Sequence, residues 1–273
     1  MKPEDYPEQE PIPAFAADYH QTLLERAASL TGIEHKHGDD PYQSLVYYPA
    51  EKPDSDVFIM LHGGGWVSGY KEYMAFMAPE FTKRGFAFVS LGYRLAPKYI
   101  FPDGLIDIMR GFCWVHDNTE KMNGNSKRLF FGGHSAGGHY ASLLAVRRDW
   151  QEHFGLDEDT IRGCLPVSGV YDFGENSGLS VMPRFLGWIG NAREASPVEN
   201  IVGTPPPFFM SWGENDFPHL KRQATEMTAA LREAGTDVTT LELPGCDHLE
   251  ASLSNGDPDG PWLDAAIKWM EEH

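Results

Sequence analysis

The run Leu129–Gly138 constrains the fold of this chain more than any other stretch. Three apolar residues, Leu129–Phe131, predict a short buried strand, and a helix-forming run begins near Tyr140. Between them, Gly133–Gly137 reads Gly-His-Ser-Ala-Gly, a Gly-x-Ser-x-Gly core. In such a turn the serine takes strained backbone angles and its hydroxyl projects above the sheet edge. This context favours a nucleophilic Ser135 over the alternative, a glycine-rich turn that happens to hold a serine.

A nucleophilic serine needs a base to take its proton and an acid to orient that base. In a fold with this turn, the chain order is serine, then Asp or Glu, then His. The apolar strand Phe208–Trp212 leads into a turn that ends at Asp216, and the strand Val238–Leu243 leads into a loop that ends at His248. Because open α/β sheets place their sites at the C-terminal ends of strands, we predict Asp216 as the acid and His248 as the base.

Other residues compete for these two roles. Glu214 lies earlier in the same turn as the predicted acid, and Asp247 is adjacent to the predicted base, where side chains usually point apart. His62 and His134 lie inside glycine motifs and are expected to be structural. The other histidines fall near the termini, at a helix start, in or beside predicted helices, or in a polar stretch ahead of the strands.

A second glycine motif predicts an oxyanion hole. The apolar run Val57–Leu61 predicts a buried strand, and His62–Trp66, with three consecutive glycines, follows it. Glycines let the main chain approach a substrate and turn its N–H groups towards a developing negative charge. We predict Gly64, Gly65 and Ala136 as the donors. The alternative, a phosphate-binding loop, is disfavoured because neither Gly-Lys-Ser/Thr nor Gly-x-Gly-x-x-Gly is present there.

Length and charge restrict the class of partner. A chain of 273 residues suits one α/β domain with a large core. Its 40 acidic residues exceed its 22 basic ones, and the formal net charge is −18. This balance disfavours nucleic acid and anionic membranes, which attract basic patches, and mildly disfavours polyanionic substrates. We expect a small-molecule ester or amide as partner, with a homodimer left open.

The cysteine content and the N-terminal residues indicate the cellular compartment of the protein. The three cysteines are far apart and form neither a disulfide framework nor a zinc spacing. The first residues are acidic and proline-rich, without the cationic start and apolar stretch of a signal peptide. No apolar run has the length of a membrane span. These features predict a cytoplasmic location.

Strand-like and helix-like segments alternate along most of the chain. This alternation predicts an α/β fold with a mostly parallel central sheet of about eight strands and helices on both faces. We expect a single domain over residues 1–273, with an N-terminal arm and helix in residues 1–40. Residues 172–200 break the alternation and are rich in Gly, Asn, Ser, Trp and Pro, which predicts a small lid-like excursion over the site.

The stretch His35–Asp40 resembles part of a binuclear metal-binding signature, His-x-His-x-Asp-His. It lacks the final histidine and lies ahead of the predicted strands, and a metal needs three or four converging ligands. A solvated polar loop is the favoured interpretation. We expect no metal or organic cofactor.

Taken together, these motifs resemble the α/β-hydrolase superfamily. Within it, His62–Trp66 and Gly92–Pro97 resemble the hormone-sensitive-lipase-like carboxylesterases. A longer set of segments resembles the kynurenine formamidases (arylformamidases). These segments are Gly64–Lys71, Ala75–Met77, Gly133–His139, Val167–Asp172, Ala195–Pro197, Gly213–Pro218 and Gly245–His248. The longer set favours a formamidase-like enzyme, whereas the Tyr-Arg-Leu-Ala-Pro run within Gly92–Pro97 is more typical of the esterases.

The resemblance implies metal-independent hydrolysis of a small ester or aryl-formamide through an acyl-enzyme. Ser135 would be the nucleophile, His248 the base and Asp216 its partner. We expect Trp66 and Phe217 in the substrate pocket, with ordinary core packing as the alternative for each. A carboxylesterase of short-chain or aromatic esters stays open as an alternative, and so does a non-catalytic ligand-binding member of the fold.

Overall fold

A single eight-stranded sheet organises the part of the chain that the structure, a computed structural model, describes: residues 2–179 and 182–273. The strand order is β1-β2-β4-β3-β5-β6-β7-β8. Strands β1 and β2 run antiparallel to their neighbours, and the other pairs are parallel. The strands are Ile33–Lys36 (β1), Ser44–Tyr48 (β2), Ser55–Leu61 (β3), Ala87–Leu91 (β4), Gly124–His134 (β5), Ile161–Val167 (β6), Phe208–Gly213 (β7) and Val238–Leu243 (β8).

Helices connect the strands and cover both faces of the sheet. The α-helices are Ala17–Ala27 (α1), Ala78–Lys83 (α2), Asp103–Asp117 (α3), Ala136–Val146 (α4), Asp149–Phe154 (α5), Met182–Leu186 (α6), Ala192–Ala195 (α7), Pro218–Glu233 (α8), His248–Leu253 (α9) and Pro261–Glu272 (α10). A 3-10 segment, Lys71–Met77, precedes α2. None of the helices in the described ranges combines the length and apolar character that crossing a bilayer requires.

Side chains of the central strands alternate between two apolar layers. In β5, Leu129 and Phe131 pack in one layer, and Phe130 between them packs in the other. This is the two-residue period expected of a strand buried on both faces. Helix α4 is buried along its whole length and follows β5 directly, so it anchors the centre of the fold.

The predicted fold class is confirmed, with one local error. The prediction of a solvated polar loop over His35–Asp40 is wrong for its first two residues, because Ile33–Lys36 forms edge strand β1, and residues 37–40 follow it as a loop. His35 stacks on Trp114, with ring centroids 3.9 Å apart. An edge strand with mostly exposed side chains has no apolar alternation, so the sequence carries no signal for it. Among the described residues, no group of three or more potential ligands is placed to hold a metal ion.

A buried ion pair fixes the loop that follows β4. The carboxylate of Asp107, on α3, is fully buried. It accepts hydrogen bonds from Nε and an Nη of Arg94 at 2.7 and 2.8 Å and from the Arg94 amide at 3.0 Å. Gln43 Nε2 donates a further bond at 2.7 Å. Through these bonds the carboxylate connects α3 to Gln43, just before β2, and to the Arg94 loop beside the oxyanion motif.

Replacing this carboxylate tests its contribution to stability. Asp107→Ala leaves the half-buried Arg94 guanidinium without its partner, and we expect the free energy of unfolding to fall by about 3–5 kcal/mol. The exposed pair Lys268–Glu272 provides the control, because Glu272→Ala should cost less than about 1 kcal/mol. Urea denaturation measures both variants. If both variants lost the same free energy of unfolding, burial of the Asp107–Arg94 pair would add nothing to its contribution to stability.

Three buried histidines make stability depend on pH. Burial lowers the pKa of His62 to about 4 and the pKa values of His134 and His139 to about 3. The hydrogen bonds of His139 fit a neutral ring with one proton. Its Nδ1 accepts from Trp66 Nε1 at 3.0 Å, and its Nε2 donates to the Ala195 carbonyl at 2.7 Å.

From this the direction of the pH dependence follows. Below the ordinary histidine pKa of about 6.5, the unfolded chain binds protons that the folded chain does not. We therefore expect the free energy of unfolding to be largest above that pH and to fall between pH 6.5 and about 4. Each of these histidines should contribute a slope of up to about 1.4 kcal/mol per pH unit. Urea titrations at pH 7.5, 6 and 5 measure the slope, and a flat profile would contradict it.

Candidate active site

Ser135 occupies a strained turn between β5 and α4. Its backbone has φ of 54° and ψ of −114°, which is unusual for a residue with a side chain. A Cβ at Gly137 would lie 2.4 Å from the carbonyl oxygen of Leu61, so only glycine lets α4 pack this closely against β3. The predicted strand, sharp turn and helix are therefore present around the serine.

The structure brings together the three side chains predicted as nucleophile, base and acid. His248 Nε2 lies 3.0 Å from Ser135 Oγ, and His248 Nδ1 lies 2.8 Å from Asp216 Oδ1. Asp216 Oδ1 also accepts the Phe217 amide at 2.7 Å. Burial alone would raise the pKa of Asp216, but the hydrogen bond and charge of His248 outweigh it and hold that pKa below its usual value. An ionised Asp216 next to His248 Nδ1 leaves Nε2 free to accept the serine proton.

The rival acids have structural partners instead. Asp247 is the N-cap of α9, where its side chain accepts the amides of Leu249 and Glu250. Glu214 Oε2 accepts the amide of Gly245 at 2.7 Å and holds the turn that leads to the base. His248 itself is the first residue of α9, whereas the sequence placed it in a loop.

Two of the three predicted oxyanion donors, Gly64 and Gly65, lie in the turn after β3, and the third, Ala136, directly follows Ser135. Gly64 has φ of 120°, and a Cβ there would lie 2.0 Å from the Ser68 carbonyl oxygen, so glycine is required. Gly65 has φ of 59°. Gly64 and Gly65 line the cavity at Ser135, and Ala136 is the first residue of α4. In the described part of the chain, the amides of these three residues donate to no acceptor, so they are available to a substrate oxygen.

A cavity of about 290 Å³ opens onto the Ser135 hydroxyl. Its walls are mainly apolar, and much of them comes from the N-terminal arm and α1, for which the sequence carries no signal of a role in the site. The lining residues are Pro13, Phe15, Ala16, Tyr19, His20, Gly64, Gly65, Val67, Ser68, His134, Ser135, Arg184, Phe217, His248 and Leu249. A larger cavity of about 480 Å³ lies elsewhere, between the arm and β1, and contains none of the predicted site residues.

Of the two residues predicted for the pocket, Phe217 lines the cavity and Trp66 does not. The Phe217 ring lies 5.0 Å from the His248 ring, centroid to centroid. The prediction for Trp66 is wrong: its side chain is 2% exposed and stacks on Phe185 at 4.3 Å. Burial among aromatic rings, with its N–H satisfied by His139, stabilises Trp66 more than a place in an open cavity would.

The N-terminal arm and α6 meet at the mouth of the cavity. Phe15 packs edge-on against Phe217, with centroids 6.5 Å apart. Arg184, on α6, lines the cavity and pairs with Glu10 of the arm at 2.6 Å. No local pattern marks these residues, because their role depends on contacts between distant parts of the chain.

Comparisons with known proteins agree with this geometry. The BD-FAE family matches residues 45–231, more than half of the chain. Esterase LipQ of Mycobacterium tuberculosis is 30% identical over 70% of this chain and 49% of LipQ, so the chain spans about half the length of that relative. Kynurenine formamidase of Danio rerio is 26% identical over 82% of this chain and 78% of that protein.

A solved structure shows the same fold. Esterase B from Lactobacillus rhamnosis superposes with a TM-score of 0.77 at 19% sequence identity, covering 95% of this chain and 91% of esterase B. The eight-stranded sheet, the strained serine turn and these similarities confirm the resemblance drawn from the motifs. The chain belongs to the BD-FAE family, within the α/β-hydrolase superfamily.

Proposed function

We propose that this protein is a serine hydrolase that cleaves a small carboxylic ester through an acyl-enzyme. The observation that carries the proposal is the line of hydrogen bonds from Ser135 Oγ to His248 Nε2, 3.0 Å, and from His248 Nδ1 to Asp216 Oδ1, 2.8 Å. A hydroxyl alone is a weak nucleophile, and this arrangement supplies the base and the oriented charge that activate it. The similarity to proteins named esterases supports the same reaction.

Acylation begins when Ser135 Oγ attacks the ester carbonyl carbon and His248 Nε2 takes the hydroxyl proton. The carbonyl oxygen becomes an oxyanion, which accepts hydrogen bonds from the amides of Gly64, Gly65 and Ala136. Ionised Asp216 stabilises the imidazolium that forms. His248 then gives its proton to the leaving alcohol oxygen as the C–O bond breaks, which leaves the acyl group on Ser135.

Deacylation repeats these steps with water. His248 takes a proton from the water as its oxygen attacks the acyl carbon, and the second tetrahedral intermediate uses the same amides. When the bond to Ser135 Oγ breaks, His248 returns the proton to the serine. The products are a carboxylic acid and an alcohol, and the enzyme regains its starting protonation state.

The cavity restricts the substrate to compact esters. Its volume of about 290 Å³ is near the lower end of the range for ligand pockets. The aromatic ring of Phe217 and the side chain of Leu249 adjoin the base, where they suit an apolar group of the substrate. We therefore expect short-chain or small aromatic esters to be better substrates than long-chain ones.

Removing the nucleophile tests the mechanism. We expect Ser135→Ala to stay folded but to lose about 10⁴-fold or more in kcat on p-nitrophenyl acetate, because no other group can form the acyl-enzyme. Ser126→Ala, on the same strand, is the matched control and should retain wild-type turnover. A fluorophosphonate probe should label the wild-type protein and the control but not Ser135→Ala. Full activity in Ser135→Ala would refute the mechanism.

A second candidate function, cleavage of an aryl-formamide such as N-formylkynurenine, is favoured by the charged pair at the cavity mouth. Arg184 and Glu10 carry opposite charges 2.6 Å apart, and Arg184 is about half exposed. An α-amino acid group carries a carboxylate and an ammonium that can pair with these two side chains. The similarity to kynurenine formamidase over most of both chains points to the same substrate class.

Substrate comparison distinguishes the two candidates. If the formamide is a substrate, we expect Arg184→Ala to lower the ratio of kcat/KM for N-formylkynurenine to that for p-nitrophenyl acetate by about tenfold, the weight of one charge-assisted hydrogen bond. Arg193→Ala, whose side chain is 84% exposed and outside the cavity, should leave the ratio unchanged. Absence of formamide turnover in the wild-type protein would eliminate this candidate and leave ester hydrolysis.

A further inference from the structure

His20 contributes a polar group to the wall of the active-site cavity that the mechanism above does not use. It lies on α1, is 6% exposed and lines the cavity together with Gly64 and Ser68. The neighbouring wall residues Phe15, Tyr19 and Leu249 are aromatic or aliphatic. A polar ring in such a wall is costly to bury unless it is hydrogen-bonded.

One ring nitrogen of His20 is occupied by Tyr73. The Tyr73 hydroxyl lies 2.6 Å from His20 Nδ1, and the Tyr73 side chain is 1% exposed. Within residues 2–179 and 182–273, that hydroxyl has no other hydrogen-bond partner. Burial raises the pKa of Tyr73 far above its usual range, so the phenol keeps its proton. A buried O–H with a single neighbour donates to it, and Nδ1 of His20 is therefore the acceptor.

The tautomer of His20 follows from this bond. Burial lowers the pKa of His20 to about 4, so the ring is neutral at neutral pH. A neutral imidazole whose Nδ1 accepts carries its proton on Nε2. Nε2 bonds to none of the described residues, and the ring borders the cavity.

We propose that the Nε2–H of His20 is a substrate-binding donor, which selects compact esters carrying a second oxygen acceptor, such as an ether or carbonyl oxygen, besides the reacting carbonyl. This inference rests on the proposed ester hydrolysis. A purely alkyl substrate displaces water from Nε2–H and leaves the donor unpaired in an apolar wall, whereas an acceptor oxygen restores the bond. Sites that hydrogen-bond a substrate group discriminate against analogues that lack it.

Isosteric substrate pairs measure this selectivity. p-Nitrophenyl methoxyacetate differs from p-nitrophenyl butyrate by an ether oxygen in place of a methylene in the acyl chain. 2-Methoxyethyl acetate and butyl acetate differ in the same way in the alcohol. For each pair we take the ratio of kcat/KM values, oxygen over methylene, and divide the wild-type ratio by the variant ratio. Differences in intrinsic reactivity cancel in this quotient.

Two variants distinguish the role of Nδ1 of His20 from that of Nε2. In His20→Asn the amide can still bond to Tyr73 but is too short to present a donor at the position of Nε2, whereas the longer amide of His20→Gln can. We expect a quotient of about five to ten for His20→Asn in at least one substrate pair, and a quotient near one for His20→Gln. His153→Asn, an exposed histidine on α5, is the control and should also give a quotient near one.

Two further measurements keep the inference testable if a variant folds poorly. Proton–nitrogen correlation spectra of histidine-labelled wild-type protein should show His20 protonated at Nε2. Tyr73→Phe removes the donor to Nδ1, so the proton should shift towards Nδ1 and the quotient for this variant should rise above one. A quotient near one for His20→Asn in both pairs, or a proton on Nδ1 in the wild-type spectrum, would overturn the inference. The proposed function fails separately, through retained turnover in Ser135→Ala.

Discussion

The hydrogen bond between Ser135 and His248 depends on parallel strands ending at one edge of the sheet. His134 lies opposite Val167 in the β5–β6 register, and Gly213 lies opposite Leu243 in the β7–β8 register. Val167 lies opposite Ser211 in the β6–β7 register, so the strands that lead to the nucleophile, the acid and the base end within two residues of one another along the sheet. Parallel hydrogen bonding thus brings into contact three side chains that are remote in sequence, and the two-layer apolar core holds the strands in that register.

The wall of the cavity has a different origin. The N-terminal arm reaches the site because its residues are anchored elsewhere: the buried ammonium of Lys71 donates to the Tyr6 hydroxyl at 2.8 Å and pairs with Glu72 at 2.6 Å. Gln9 bonds both to the Gly69 carbonyl and to the Tyr42 hydroxyl. These bonds fix the arm against the segment before β2 and the loop after β3, and the following residues Pro13, Phe15 and Ala16 line the cavity at Ser135. The anchored arm therefore supplies part of the cavity wall.

This difference in origin explains which features the sequence could predict. Ser135 and Asp216 follow strongly apolar strands, and His248 follows β8, whose sequence is mixed, so a local pattern places each of the three beyond a strand end at the sheet edge. The glycines of the oxyanion motif carry an equally local signal. His20 and Phe15 carry none, since their position depends on where a distant arm is anchored. Trp66 was misplaced for the same reason: its neighbours Phe185 and His139 come from other parts of the chain, and adjacency to a motif does not determine where a side chain points.

The cavity wall and the base are nevertheless parts of one packed unit. The Tyr19 hydroxyl, on α1, lies 2.8 Å from Ser252 Oγ and 3.3 Å from His134 Nδ1. His134 Nε2 in turn lies 2.9 Å from the carbonyl oxygen of His248. Burial holds His134 neutral, so Nε2 donates to that carbonyl and Nδ1 accepts the proton of the Tyr19 hydroxyl, whose oxygen in turn accepts from the Ser252 hydroxyl. The helix that shapes the cavity is therefore bonded to the segment that positions the base. A change in α1 that alters substrate fit therefore also acts on the segment that carries His248, through the contacts of Tyr19 with Ser252 and His134.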